Sequence, residues 1–408
     1  MRISFNMQFK QSLNGILDAQ KRMSRAEEQL VKQTRILSPA DDPAASAKVL
    51  GLDQNLAQIE QYQKNSVLLK NNLALEETVL TNMRTSYDRI STLAQAAGNA
   101  TYGPAEREAL ALELRNIQAE MFDAMNTKNS EGSYIFAGYQ DRDAAYEKDP
   151  VTGEYQFKGD DGFRALQISP SIKMPGNDSG KAIFDDVFAR FKPVIGIPSG
   201  SLTAANIDIN EQNKFNAFYI ENYDSLVAAN NTYNVDIDAA NNYQILQNGS
   251  ALTPPVTGTY VSGEPIKFQG LDIKIEGAGA GVVDFSLPPP VKKNILNTLS
   301  DFIQVLENPT ASSAAVNEAI ADTLAQTEAS SRRIDSTLSN LGGRNNVLGS
   351  VFNSNEDLTI KNKEYRADLA EVDFAAAMTE IKRQEVAMQA ASSTFSKMSA
   401  STLFDYIR

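Results

Sequence analysis

Both ends of this chain are long runs of helix-period apolar residues, and neither run can cover its own stripe. Residues 1–130 and 291–408 carry heptad-like patterns with almost no Pro, whereas residues 131–290 hold 16 of the 23 Gly and 11 of the 15 Pro. Inside a helix Gly costs about 1 kcal/mol and Pro about 3 kcal/mol. The helical potential therefore lies in the two ends, and the middle reads as turns and short strands. This predicts an α+β multidomain fold, in which long N- and C-terminal helices pack into a helical rod or coiled coil and a β-rich outer domain is inserted between them. The layout suits an assembly subunit better than an enzyme.

In the first arm Ile16, Ala19, Met23, Ala26, Leu30 and Leu37 fall on one face, with Gln33 interrupting. Their alternating spacing of 3 and 4 describes a coiled-coil seam, thinned by its Ala positions. Ser38-Pro39-Ala40-Asp41-Asp42-Pro43 is expected to break that helix, with Asp42 and Pro43 opening the next one. The second helix runs from Val49 through Leu69, Leu80 and Ile90 to near Ala97, roughly 50 residues or ~75 Å at 1.5 Å per residue. A third follows Pro104 and is expected to end near Gly132. In the last part Ile295–Leu306 reads as a helix stopped by Asn308-Pro309, Val316–Phe352 as a long one, and Met388, Ala391, Phe395 and Met398 as the stripe of the last arm.

From Ser133 the period changes. Tyr134-Ile135-Phe136, Tyr155-Gln156-Phe157, Leu166-Gln167-Ile168, Lys267–Ile275 and Val282–Phe285 read as strands between turns, while Asn- and Ala-rich stretches between 202 and 252 are ambiguous. The expected division is terminal assembly arms at 1–42 and 366–408, a helical domain with short hairpins at 43–189 and 288–365, and an inserted domain at 190–287.

Composition removes most chemistry. The chain has no Cys and no His. Thiolate nucleophiles, disulfides, Cys or His metal sites and the Ser–His–Asp arrangement are excluded together. Of the net charge of −13, the middle carries −10, from 11 basic and 21 acidic side chains. That suits a solvated outer surface, and an acidic chain without a basic stripe argues against nucleic acid. No run of 18 apolar residues suggests a membrane span. The opening MRISFNMQFKQSLNG lacks an apolar signal core, so export, if it occurs, is expected without a cleaved signal peptide.

The remaining candidates are weak. Gly277-Ala278-Gly279-Ala280-Gly281 would need a following helix to cradle a phosphate, and Val282-Val283-Asp284-Phe285 follows instead, so a turn is expected. The pairs Glu76/Glu77, Asp160/Asp161 and Asp185/Asp186 read as solvated surface, and the doublets Lys292/Lys293 and Arg332/Arg333 as exposed helix faces. No catalytic, cofactor or metal residue is assigned. The assembly candidates are Ile16, Met23, Leu30 and Leu37 in the first arm and Met388, Phe395, Met398, Leu403, Phe404 and Ile407 in the last.

Several motifs taken in order resemble the flagellin family. They are Arg2-Ile3-Ser4, Ile36-Leu37-Ser38-Pro39-Ala40-Asp41-Asp42-Pro43, Gly132-Ser133-Tyr134-Ile135-Phe136-Ala137-Gly138-Tyr139, Tyr155-Gln156-Phe157-Lys158-Gly159-Asp160, Leu341-Gly342-Gly343-Arg344-Asn345-Asn346 and Ser401-Thr402-Leu403-Phe404-Asp405-Tyr406-Ile407. The S-P-x-D-D-P form and the tail look junction-like rather than filament-like. The resemblance covers about 1–190 and 290–408, and departs at Gly343, where family members commonly have Ala. It implies a structural subunit at the junction of flagellar hook and filament, built through terminal helices that are disordered in the monomer. Its implied partners are copies of itself, the adjoining hook-associated protein, flagellin and a cytosolic export chaperone at the C-terminal arm. It also implies extracellular location in the flagellum after passage through the flagellar secretion channel. A filament flagellin is the alternative within the family, and a secreted enzyme housed in the insertion the alternative outside it.

Overall fold

The computed structural model describes residues 5–99 and 102–400. Three helices come first: α1 (Phe5–Lys32), α2 (Pro43–Ala97) and α3 (Pro104–Met125). Two short hairpins follow, β1 (Tyr146–Lys148) with β2 (Tyr155–Phe157) and β3 (Ala165–Gln167) with β4 (Lys173–Pro175). The insertion comprises β5 (Val194–Ile195), β6 (Leu202–Ile209), α4 (Gln212–Asn222), β7 (Thr232–Ile237), β8 (Asn242–Gln247), β9 (Ser250–Thr259), β10 (Pro265–Phe268), β11 (Leu271–Gly277) and β12 (Gly281–Ser286). The chain then returns through α5 (Ile295–Glu307), α6 (Ser313–Ala370) and α7 (Phe374–Ala400). An α+β fold with long terminal helices and a β-rich middle is what the patterning predicts.

Two compact units divide the chain. The first takes Met1–Lys70, Leu166–Met174 and Arg344–Arg408, the second Asn71–Ala165 and Pro175–Gly343. In the second, Leu73, Leu80, Met83, Tyr87, Ile90 and Ala94 of α2 are buried at alternating 3 and 4 spacing, apart from one polar member. That member is Glu76, which is 1% exposed rather than on a solvated surface. It sits between Leu73 and Leu80 on the same stripe, so the helix carries it inward. Beside it α3 packs on α5, where Leu299, Phe302 and Leu306 are buried and Gln118 Nε2 donates to Leu296 O at 2.7 Å and to Ser300 Oγ at 2.8 Å.

The insertion is built from a sheet ordered β10-β11-β6 and a sheet ordered β5-β12-β7-β8-β9, all antiparallel. Phe215, Tyr233, Val235, Ile245, Ile273, Val283 and Phe285 are buried in one core between them. Asn248-Gly249 closes β8 on β9, with φ of 50° and 73°. Only residues that tolerate the left-handed region make this turn, whose twist matches the flanking strands.

Several expectations are corrected. Lys267–Ile275 is not one strand but the facing ends of β10 and β11, reversed at Gln269-Gly270 with φ of 49° and 84°. A Cβ on Gly270 would lie 2.5 Å from Glu211 O, so the position needs Gly for space as well as for φ. Tyr134-Ile135-Phe136 is a turn, pinned by Tyr134 N–H donating to Asp141 O and Ile135 N–H to Thr127 O. Helix α3 ends at Met125, not near Gly132, and the next residues fold into that turn. Helix α6 runs unbroken through Gly342-Gly343 to Ala370, longer than the Val316–Phe352 stripe alone suggests. Lys292 and Lys293 precede α5 in extended chain and are not on a helix.

Candidate assembly interface

The terminal helices form an antiparallel pair within the first unit. On α1 Ala19 and Ala26 are buried, and Ser12, Ile16, Met23 and Leu30 partly so. On α7 Ala377 and Gln384 are buried, and Ile381, Met388, Ala391 and Phe395 partly so. Each set steps 4, 3, 4, 3, 4 along the chain, the repeat that keeps one seam on a partner helix. The two helices pack along each other, the C-terminal end of α1 beside the N-terminal end of α7. The seam is thin because Ala fills four of its twelve places. Gln384 is its one long polar member and donates from Nε2 to Glu380 Oε1 at 2.6 Å.

The ends of the pair are stitched where both helices break. Helix α1 stops at Gln33, whose φ is 52°, not at Ser38-Pro39 as the sequence suggests. Leu37 therefore lies in the connecting loop, half-buried, and not on the α1 seam. The end is closed locally, by the Gln33 N–H donating to Leu30 O at 3.2 Å and the Thr34 N–H to Gln29 O at 3.0 Å, and is held by tertiary bonds just beyond. Thr34 bridges Glu371, the Arg35 N–H donates to Ala370 O at 2.7 Å, and Arg35 Nη2 donates to Leu369 O at 2.8 Å. Thr34 Oγ1 adds a bond to Ala370 O at 3.0 Å. The carbonyls left over at the end of α6 are thus satisfied by the loop after α1.

Each acidic residue of the Asp41-Asp42 pair has its own task. Asp42 Oδ1 accepts from the Ala45 N–H at 2.9 Å and caps α2, with Pro43 in its first turn. Asp41 Oδ2 accepts from the Leu37 and Ser38 N–H groups at 3.0 and 3.1 Å, and its Oδ1 lies 2.7 Å from Arg25 Nη2 on α1. The Ser38 N–H foremost, then the Leu37 N–H and Arg25, hold the Asp41 carboxyl below the usual range. Asp373 caps α7 in the same way, accepting from Ala375 and Ala376 N–H at 2.9 and 3.1 Å.

A second clasp holds α2 and α6 in this unit. Asn65 Nδ2 of α2 donates to Gln167 O at 2.7 Å, and Asn355 Nδ2 of α6 donates to Ile168 O at 2.9 Å. Ile168 is fully buried and Asn355 nearly so. The carbonyls are neighbours in the β3–β4 hairpin, so one short segment ties the two helices together.

Beyond the seam the unit leaves apolar side chains in solvent. Leu13, Leu17 and Val31 of α1 are 39%, 52% and 83% exposed, and Phe374 and Val386 of α7 are 67% and 65% exposed. At about 100° per residue the three α1 residues fall within about 40° of each other and about 120° from the seam. Helix α1 therefore has an apolar seam covered by α7 and a second, uncovered line of apolar residues that Ser24 interrupts between Leu17 and Val31. The spacing that gives Ile16, Met23 and Leu30 as a seam hides the second stripe, which only a helical projection of Leu13, Leu17 and Val31 could have found.

Of the other assembly candidates, Met388 and Phe395 lie on the α7 seam. The Met398 side chain and residues Leu403, Phe404 and Ile407 lie outside the described part. The acidic pairs are structural. Asp160 Oδ1 accepts from the Tyr139 and Gly162 N–H groups, Asp161 pairs with Lys181 at 2.7 Å, and Asp186 with Lys292 at 2.8 Å. Half-buried Asp185 accepts from Asn294 Nδ2 at 2.5 Å, and burial pushes its carboxyl up. Gly277–Gly281 forms the bend between β11 and β12. Among the described residues no group of three acidic side chains is placed to hold a metal, and no helix is long and apolar enough to cross a membrane.

Residues 3–141 match the family model of the bacterial flagellin N-terminal helical region. Over 207 residues, 51% of this chain, the sequence is 30% identical to flagellar hook-associated protein 3 of Salmonella typhimurium, and the match spans 63% of that curated relative. The crystal structure of flagellar hook-associated protein-3 from Legionella pneumophila aligns with a TM-score of 0.60 at 22% identity, covering 78% of this chain and 98% of that one. Xanthomonas campestris FlgL aligns with a TM-score of 0.58 at 21% identity, covering 78% and 99%. Over residues 3–141 the chain is similar to the flagellin N-terminal helical region, over 207 residues it is similar to flagellar hook-associated protein 3, and it has the fold of these two crystal structures.

Proposed function

We propose that the chain is a structural subunit of the bacterial flagellum that assembles with copies of itself through its terminal helices and joins hook to filament. The observation that carries this is the second, uncovered stripe of α1, with exposed Phe374 and Val386 on α7. A thin two-helix seam gives an isolated pair little to offset the ordering entropy of about 1–2 kcal/mol per residue, and further helices from neighbouring copies would cover what it leaves exposed. The arms, 1–42 and 366–408, thus reach full order on assembly. Similarity to a hook-associated protein and the S-P-x-D-D-P form of the loop favour a junction subunit over a filament subunit. The adjoining hook-associated protein and flagellin are then its neighbours on either side. A cytosolic chaperone holds the C-terminal arm before export through the flagellar secretion channel. The role is structural and not catalytic.

Electron microscopy of a deletion strain tests this. Hooks without filaments, with flagellin lost to the medium, are expected, and filaments of normal number would overturn the reading. Complementation by Leu17→Asp should fail although the variant monomer melts as the wild type does, because Leu17 already faces solvent in the single chain. A subunit interface, by contrast, would strand the new charge at a cost of several kcal/mol.

A further inference from the structure

The inserted domain has a core of its own. It runs from Leu202 to Leu287 and takes no residue from α5 or α6. A narrow neck joins it to those helices: Phe188 pairs with Lys292, the Ala189 N–H donates to Val291 O at 2.8 Å, and the Lys293 N–H donates to Val187 O at 2.9 Å. Such a neck sets where the domain is attached and leaves its angle to other contacts.

Those contacts are charged. Glu318 and Asp322 stand one turn apart on α6. Arg190 Nη1 lies 3.1 Å from Glu318 Oε2 and 3.2 Å from Asp322 Oδ1, and Lys192 Nζ lies 2.8 and 2.6 Å from the other oxygen of each. The Arg190 side chain is 7% exposed, and its Nε donates to Gln212 Oε1 of α4 at 2.6 Å. Gln212 Nε2 in turn donates to Phe191 O at 3.2 Å, so the cations are held from the domain side as well. Around this cluster the apolar surfaces stay apart. A cleft of about 590 Å³ is lined by Phe191, Tyr219, Pro288, Phe302 and Val305, and another of about 640 Å³ opens between Ile220 of α4 and Ala325 and Ala329 of α6.

We infer that Arg190, Lys192, Glu318 and Asp322 form a clamp that fixes the angle of the inserted domain on α6, and that removing its charge lets the domain rock about the neck as a rigid body. The physics favours this division of labour. Half-buried ion pairs add little net stability but penalise any geometry that separates them, whereas an unfilled apolar cleft imposes no direction. Hinges of this kind need only a few residues at element ends to absorb the motion, and the paired neck segments 187–189 and 291–293 supply them, on the far side of the clamp from the domain.

The full chain has no Cys, so Ala240→Cys and Ser339→Cys, both at exposed positions, place two spin labels without further change. Pulsed electron paramagnetic resonance should give one narrow distance distribution for the chain with its native clamp. In E318Q/D322N the distribution should broaden about twofold, while the far-UV melting curve is retained. Lys192→Met, which removes the more exposed cation only, should broaden it less. Unchanged distributions in both variants would overturn the clamp. If E318Q/D322N loses its helical signal, Lys192→Met decides alone, and an unchanged width there overturns the inference.

Discussion

Asp41, Asp42 and Asp373 show how much of the arm geometry hangs on single carboxylates. Asp373 satisfies two N–H groups at the start of α7, and Asp373→Ala should cost about 1 kcal/mol, read as a lowered melting temperature of the arm pair. Asp41 gives a pH dependence with a definite sign. Its folded pKa is depressed below 3.8, chiefly by the Ser38 N–H, so its contribution is present in full above that pH and is lost as pH falls through the folded value. Protection of the amides of residues 33–42 against hydrogen exchange, corrected for intrinsic rates, should hold constant down to pH 3.8 and drop below it. Asp41→Asn should remove the dependence. A drop that begins near neutral pH would point to another group.

At the scale of elements, the β3–β4 hairpin is the joint to test. Asn355→Ala strands a buried carbonyl at Ile168 and should destabilise the chain by about 1–3 kcal/mol. Asn65→Ala, at a half-buried position, should cost less in the same thermal melt. The helices were the legible part of the sequence because a 3.6-residue period survives in any surroundings. What local sequence could not show is where tertiary bonds end an element. Gln33 is not a residue that marks a stop: it closes the helix in the left-handed conformation with local bonds to Leu30 O and from Thr34 N–H to Gln29 O, and Leu369 and Ala370 then hold the chain just beyond it. Tyr134-Ile135-Phe136 looks like a strand by composition, yet its N–H groups are taken by a turn. Within 202–252 the sequence does carry one local signal, Asn248-Gly249 between apolar alternations, which marks the hairpin of β8 and β9. The candidate site divides likewise. The seam through Ile16, Met23 and Leu30 reads directly, whereas the stripe through Leu13, Leu17 and Val31 emerges once α7 is seen to cover the other face.

For the whole molecule, the stitch between the two helix breaks has a genetic consequence. Residues 34 and 35 are bonded to residues 369–371, so the two arms cannot turn at their hinges independently. A lesion at one hinge is a lesion at both. Arg35→Ala should therefore weaken assembly as much as a change near Leu369 does, and combining the two should add little further loss. Motile revertants of Arg35→Ala should carry second-site changes clustered at 369–373, although those positions are 334 or more residues away in sequence. Revertants scattered evenly along the chain would mean that the hinges work alone. With clustered revertants the two arms, far apart in sequence, are inherited as a single locus of selection.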